Sequence, residues 1–183
     1  MDATESDFRE APSKMLDNWV WNEQALKRLS GHYKDSSSIP KNLLKNLLAS
    51  RRANQGTRLL QEIIHATFDL VIHTREDVDT VRLEKELDRY LLGIETINGT
   101  SRGSQYGMDR YDTKDYLNLW SSVLAQDMFN TRFASEGIFN SKTGMDFRKR
   151  ILKPGGSIEA SVMLRNFLGR APTKDAFFRT LGV

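Results

Sequence analysis

Apolar residues recur at intervals of three and four along most of this chain, the spacing that places side chains on one face of an α-helix. The clearest series are apolar doublets, at Leu43/Leu44, Leu47/Leu48, Leu59/Leu60 and Ile63/Ile64. No stretch of useful length alternates apolar and polar residues as a half-buried β-strand would. The pattern therefore predicts an all-α fold.

Capping and turn residues divide the chain into separate predicted helices. Gly93 and Gly169 are natural helix stops, and Ser157 is a predicted N-cap. We expect the apolar face of each helix to be buried, including Leu16 and Leu29 in the first. The predicted helices run from Phe8 to Ser30, over KNLLKNLLASRRA after Pro40, from about Thr57 to His73, from Asp77 to Leu92, from Asp112 through Met128, from Ser157 to Leu168, and over KDAFFRTL after Pro172 and Thr173.

The helix that follows Asp112 has a second, less apolar face. Tyr111, Asp115 and Asn118 fall at i, i+4 and i+7, so they share a face that differs from the one formed by Tyr116 and Trp120. We expect the face with Tyr111, Asp115 and Asn118 to line a cleft and the face with Tyr116 and Trp120 to lie in the core. Residues 94–110, which contain several glycines, are predicted to form a loop.

Composition limits the function classes. Hydrophobic residues make up 39% and charged residues 28% of the 183 positions, a globular balance that fits one domain over residues 1–183. The net charge of +3 is mild and no basic stripe with stacking aromatics is present, so nucleic acid is not an expected partner. No run is long enough to span a membrane, and there is no cysteine. The expected location is the cytosol, or a mitochondrion if the natural start lies upstream.

Short phrases carry more information than composition does. After residue 110 the chain reads YD, LW, DMF, TRF, GMD, PGGS, ML, FLGR and DAF in that order, and residues 7–21 read DFREAPSKMLDNWVW. In these phrases the chain resembles the carboxyl-terminal part of the catalytic domain of the thimet oligopeptidase and neurolysin family of zinc metallopeptidases. The resemblance implies an all-α fold and the hydrolysis of short peptides.

The resemblance also implies roles for two acidic residues. In the family, the glutamate of the phrase that reads REAPS here is a zinc ligand, which assigns that role to Glu10. The acid seven positions later supports a zinc-binding histidine, which assigns that role to Asp17, with aspartate where glutamate is usual. The chemistry is consistent, because a carboxylate oxygen binds zinc and a second carboxylate can fix the tautomer of an imidazole ligand.

The rest of the family's zinc site is absent from this sequence. The family supplies two histidines and a general base from an H-E-x-x-H helix, and this sequence contains no such motif. Its three histidines, His32, His65 and His73, lack ligand spacing and are interpreted as structural or surface residues. By position, the motif would lie upstream of Met1.

The part of the family's site that stabilises the oxyanion is altered here. The family's glycine-rich loop, with a histidine, reads GMDRY at residues 107–111, with Met108 where the histidine would be. Tyr111 is retained, but Asp115 and Asn118 stand where the family has tyrosines. Asn118 takes the position of the tyrosine that donates to the oxyanion, and its shorter side chain is expected not to reach that atom.

Three interpretations follow from the sequence. The chain can be part of a zinc endopeptidase that is catalytically incomplete by itself, with short peptides or the upstream part of the peptidase domain as partners. It can be a non-catalytic helical remnant that binds peptides or docks on another protein. It can also be an incomplete gene product, although this would not explain Met108 or Asn118.

Overall fold

The computed structural model describes residues 4–97, 103 and 113–182. Within these residues the fold is all-α, as predicted, with no β-strand. Short 3-10 or π-helical turns extend several helices, notably over Asp17–Trp21, Asp88–Leu92, Phe129–Ala134 and Arg148–Leu152. The α-helices are α1 (Ala11–Leu16), α2 (Glu23–Leu29), α3 (Lys41–Ser50), α4 (Gln55–Thr74), α5 (Thr80–Leu87), α6 (Tyr116–Met128), α7 (Ser141–Phe147), α8 (Ala160–Leu168) and α9 (Asp175–Leu181).

The chain divides into two compact units. The first unit comprises Met1–Ala53 and Trp120–Val183, and the second comprises Asn54–Leu119. Each unit is built from helices whose apolar sides pack together, as expected when an amphipathic helix must bury one stripe.

The core of the first unit is rich in aromatic rings that meet edge to face. The Trp19 ring lies 5.2 Å from Phe129 and 4.8 Å from Phe133, and Phe147 lies 5.7 Å from Phe167, measured between centroids. The indole N–H of Trp19 is satisfied by donating to the carbonyl of Ile138 at 3.1 Å. This core therefore joins the 3-10 turn after α1 to the helices at the carboxyl end of the chain.

The single helix predicted from Phe8 to Ser30 is wrong, because the chain forms two helices with a break at Asn22. The backbone of Asn22 is extended, with φ −107° and ψ 130°, and its side chain accepts the N–H groups of Gln24 and Ala25 at 2.9 and 3.3 Å. This is an N-cap, and it ends one element and starts the next. Apolar periodicity runs through such a break without revealing it.

The second unit is organised on α4, against which α5 and its π-helical turn pack. Ile64 and Phe68 of α4 are fully buried. Asp79 caps α5 by accepting the N–H of Arg82 at 3.0 Å, and Gly93 ends the element with φ 68°. The predicted stop at Gly93 is thus confirmed, α4 begins two residues earlier and ends one residue later than predicted, and α5 begins three residues later than predicted.

Several predicted core positions are exposed. Leu44 of α3 is buried, but Leu43 is 55% and Leu47 is 37% exposed, while Leu16 and Leu29 are more than half exposed. Amphipathic spacing shows that a helix has an apolar side, but only its neighbours decide how wide a strip they cover. Tyr116 and Trp120 are likewise partly exposed, at 43% and 45%.

The carboxyl-terminal stops agree with the prediction better than the starts do. Gly169 ends α8 with φ 75°, as predicted. Ser157 is not the N-cap of α8, since its hydroxyl donates to the carbonyl of Pro154 at 2.7 Å and the helix begins after Glu159. The last helix begins at Asp175 rather than at Pro172.

Candidate functional site

A polar groove in the second unit contains one of the predicted site residues, Asn118, together with Asp115. Its volume is about 380 Å³. One face of α4 supplies residues at i, i+3, i+4 and i+7, and the start of α6 supplies the other wall. The residues that line this polar groove are Arg58, Gln61, Glu62, His65, Asp115 and Asn118.

The lining of the polar groove combines both charges with amides. Arg58 is a planar donor suited to carboxylates, while Glu62 and Asp115 can accept from ammonium groups. The amides of Gln61 and Asn118 each donate and accept, as the peptide bond does. This set matches a ligand that carries free termini and peptide bonds.

Asp69 on the same face of α4 fixes the wall formed by the start of α6. It is 1% exposed, and its two carboxylate oxygens accept the backbone N–H groups of Thr113 and Asp115 at 3.0 and 3.1 Å. His73, one turn further along α4, places its Nδ1 2.9 Å from Oδ1 of Asp69. The structure therefore connects residues more than forty positions apart in the sequence.

Sequence reasoning did not single out Arg58, Asp69 or the groove position of His65. A signal for them exists in the sequence, because Arg58, His65 and Asp69 recur at i, i+7 and i+11 on the polar side of a helix whose other side carries the apolar doublets. Nothing in that spacing shows which segment covers the polar side. Of the other histidines, His32 is a surface residue whose Nδ1 lies 3.2 Å from Asp35.

The predicted zinc residues lie in the first unit, at the two ends of α1. Glu10 precedes the helix; its side chain is 57% exposed, and Oε2 lies 3.6 Å from Nζ of Lys14. Asp17 begins the 3-10 turn after α1 and is also exposed. Both carboxylates are accessible to an external group, since neither is enclosed by the helix that carries it.

These residues do not by themselves fit a complete zinc site. A catalytic zinc ion takes three protein ligands and keeps one open position. Across the described ranges, no three histidine, cysteine, aspartate or glutamate side chains are grouped so that they could hold a metal ion. Glu10 supplies one carboxylate, which is fewer than the three protein ligands of a catalytic zinc site.

Other predictions fall on residues that the structure does not describe. Tyr111, the retained tyrosine of the predicted catalytic face, lies outside the described residues, as does Met108 in the preceding loop. Asp112, the predicted N-cap of α6, also lies outside them. The catalytic roles of Tyr111 and Asn118 therefore stay predictions.

Among the helices that the structure describes, none has the length and apolar character needed to cross a bilayer.

Comparisons with known proteins identify the family. The sequence model of peptidase family M3 matches residues 2–183. Saccharolysin of Saccharomyces cerevisiae is 35% identical over 97% of this chain and 26% of its own length. A probable thimet oligopeptidase of Arabidopsis thaliana is 34% identical over 93% of this chain and 24% of its own length. Oligopeptidase A of Escherichia coli is 34% identical over 97% of this chain and 27% of its own length. The chain thus spans about a quarter of the length of these relatives. Because the family match leaves out only the first residue, the resemblance drawn from the sequence is confirmed, and this chain belongs to peptidase family M3.

Proposed function

We propose that this chain is part of the catalytic domain of an oligopeptidase and that these 183 residues do not complete peptide hydrolysis by themselves. The observation that carries the proposal is Glu10, an accessible carboxylate in a sequence that matches a peptidase family throughout but contains no H-E-x-x-H motif. In an active assembly, Glu10 contributes one zinc ligand, and Asp17 supports a histidine that comes from outside this sequence. Zinc would supply a polarised water as nucleophile.

The altered tyrosine positions support the same proposal independently. A donor to the developing oxyanion is worth about two to three decades of rate. Asn118 can donate, but it is shorter than the tyrosine expected from the family resemblance, and Asp115 places a carboxylate beside it. A negative charge there opposes oxyanion formation. We therefore expect weak catalysis even when the missing ligands are supplied.

The test measures zinc and turnover in the purified 183-residue chain. After dialysis we expect well under one zinc ion per chain and no cleavage of a fluorogenic peptide with added zinc, because a single carboxylate binds zinc weakly. Glu23→Ala is a control for Glu10→Ala, since Glu23 is also an exposed glutamate paired with the lysine four residues later, Lys27. Stoichiometric zinc, or turnover lost in Glu10→Ala and kept in Glu23→Ala, would contradict the proposal.

A second candidate function is peptide binding without hydrolysis, and the polar groove favours it. Its charged and amide groups can pair with the termini and peptide bonds of a short peptide. Isothermal titration calorimetry of the chain with tetra-alanine that has free termini tests this. Asn118→Ala should weaken binding, whereas Asn46→Ala, at an exposed position of α3, should not. Equal binding by both variants would rule out the groove as the site.

The partner and location are proposals of the same kind. A helical body of this family can pair with the upstream part of a peptidase domain, which would cover exposed apolar residues at the end of α1 and in the 3-10 turn after it, such as Leu16 at 52% and Val20 at 49%. The cytosol, or alternatively a mitochondrion, stays the predicted location.

A further inference from the structure

The turn before α6 has a backbone that its own sequence does not favour. Thr113 has φ 62°, in the left-handed region. A β-branched residue rarely adopts this conformation, because its side chain collides with the backbone there. Such a conformation persists only where surrounding contacts determine it. The turn leads directly into Asp115 and, one helical turn later, Asn118, so its conformation decides where these two groove residues point.

Asp69 accepts two hydrogen bonds from this turn. Its carboxylate accepts the N–H groups on both sides of Lys114, from Thr113 at 3.0 Å and from Asp115 at 3.1 Å. The carboxylate is buried, and a charged acceptor makes stronger hydrogen bonds than a neutral one. His73 orients it, since Nδ1 faces Oδ1 of Asp69 at 2.9 Å and the Asp69 carbonyl at 2.8 Å, both acceptors. With its proton on Nδ1, the imidazole donates to both of these acceptors.

We propose that Asp69, oriented by His73, is the positioning residue of the polar groove. It holds the 113–115 turn with Thr113 in its left-handed conformation, so that Asp115 and Asn118 face the polar side of α4. A residue that only stabilised the unit would affect all of its amides alike. A positioning residue affects the amides of the turn and the ligand of the groove.

The test is Asp69→Asn. The asparagine carbonyl can accept one of the two N–H groups, but its NH₂ group faces the other and cannot accept it. We expect hydrogen exchange to accelerate about tenfold or more at whichever of the Thr113 and Asp115 amides loses its acceptor, as follows from leaving a part-buried donor unsatisfied. The control is Asp79→Asn, which also removes a carboxylate acceptor of a backbone N–H in the same unit and should leave these two amides unchanged. Unchanged exchange in Asp69→Asn would overturn the proposal.

Rescue separates positioning from general stability. Glycine adopts a positive φ without steric cost. Thr113→Gly in the Asp69→Asn background should therefore recover most of the lost binding of tetra-alanine, although it supplies no new acceptor for the N–H that Asp69→Asn leaves unsatisfied. A merely structural Asp69 predicts no recovery, and that result would contradict the positioning role.

A second pair of variants keeps the proposal testable if Asp69→Asn does not fold. His73→Asn retains a donor near the position of Nδ1 and should keep the exchange rates of the wild-type protein. His73→Leu removes the donor and should accelerate exchange at Thr113 and Asp115. Equal rates in both variants would overturn the role of His73.

The peptide measurement rests on the proposed function, whereas the exchange measurement does not. If tetra-alanine fails to bind the wild-type chain, the proposed peptide binding is wrong, and the two amides alone decide the role of Asp69.

Discussion

The ion pair between Asp127 and Arg170 fastens the carboxyl-terminal segment to α6, and its removal has a predictable cost. Arg170 donates from Nη1 to Oδ2 at 2.8 Å and from Nη2 to Oδ1 at 2.6 Å, a bidentate arrangement. The carboxylate also accepts from the N–H of Thr173 at 2.8 Å and from Oγ1 of Thr131 at 3.0 Å. Arg170→Met keeps most of the aliphatic length and removes only the charged donors.

The expected loss follows from the burial of the two partners. Asp127 is 1% exposed and the Arg170 side chain is 42% exposed. Breaking a fully buried pair costs about 3–5 kcal/mol, because it leaves one charge buried and unpaired. Two donors to Asp127 remain in the variant, and water can approach from the Arg170 side. We therefore expect the free energy of unfolding to fall by about 2–3 kcal/mol.

Urea denaturation, monitored by circular dichroism, measures this loss. An unchanged dependence of the unfolding free energy on urea concentration would show that the same surface is exposed on unfolding. The matched control is Arg150→Met. Arg150 is 48% exposed, but its acid, Asp146, is 37% exposed and lies 3.7 Å away. We expect the control to lose about 1 kcal/mol or less. If Arg170→Met loses no more than Arg150→Met, the argument from the buried carboxylate is refuted.

Two further predictions concern pH and core packing. Burial opposes the charged form of Asp127, but hydrogen bonds, first from Arg170, outweigh burial and hold the pKa of Asp127 below the ordinary 3.8. The ionised carboxylate therefore stabilises the folded state fully above about pH 4, and this contribution is lost as the pH falls through the lower pKa of the folded state. The difference in urea midpoint between the wild-type chain and Asp127→Asn should therefore shrink below pH 4, and a constant difference would contradict this. In the same denaturation experiment, Leu44→Ala should lower the free energy of unfolding by about 2–4 kcal/mol, and Leu43→Ala by about 0.5 kcal/mol or less. Equal losses would mean that α3 buries both leucines.

Much of the secondary structure could be predicted because its signals are local. Gly93 and Gly169 stop helices as predicted, since each takes the left-handed backbone conformation that closes a helix. The break at Asn22 was missed although its signal is also local, an asparagine followed by Glu23 at a helix start. Apolar spacing dominated the prediction there, and it continues across the break.

The candidate site was predictable only in part. Asp115 and Asn118 were assigned to one face from their spacing, and the structure places both in the polar groove. Their neighbours Arg58 and His65 come from a helix some fifty residues earlier, and no local pattern shows that the two segments meet. The resemblance to a peptidase family suggested the chemistry, but it did not reveal Asp69.

The sequence by itself determined the helical class, the helix stops at Gly93 and Gly169 and the family, because these depend on residues within one or two turns of each other or on the order of short phrases. Only the tertiary structure decided which apolar residues are covered, as Leu44 is and Leu43 is not, and which polar groups meet, as Asp69 meets the 113–115 turn. The physical reason is that periodicity fixes the face on which a side chain lies, whereas burial and hydrogen-bond partners depend on what packs against that face.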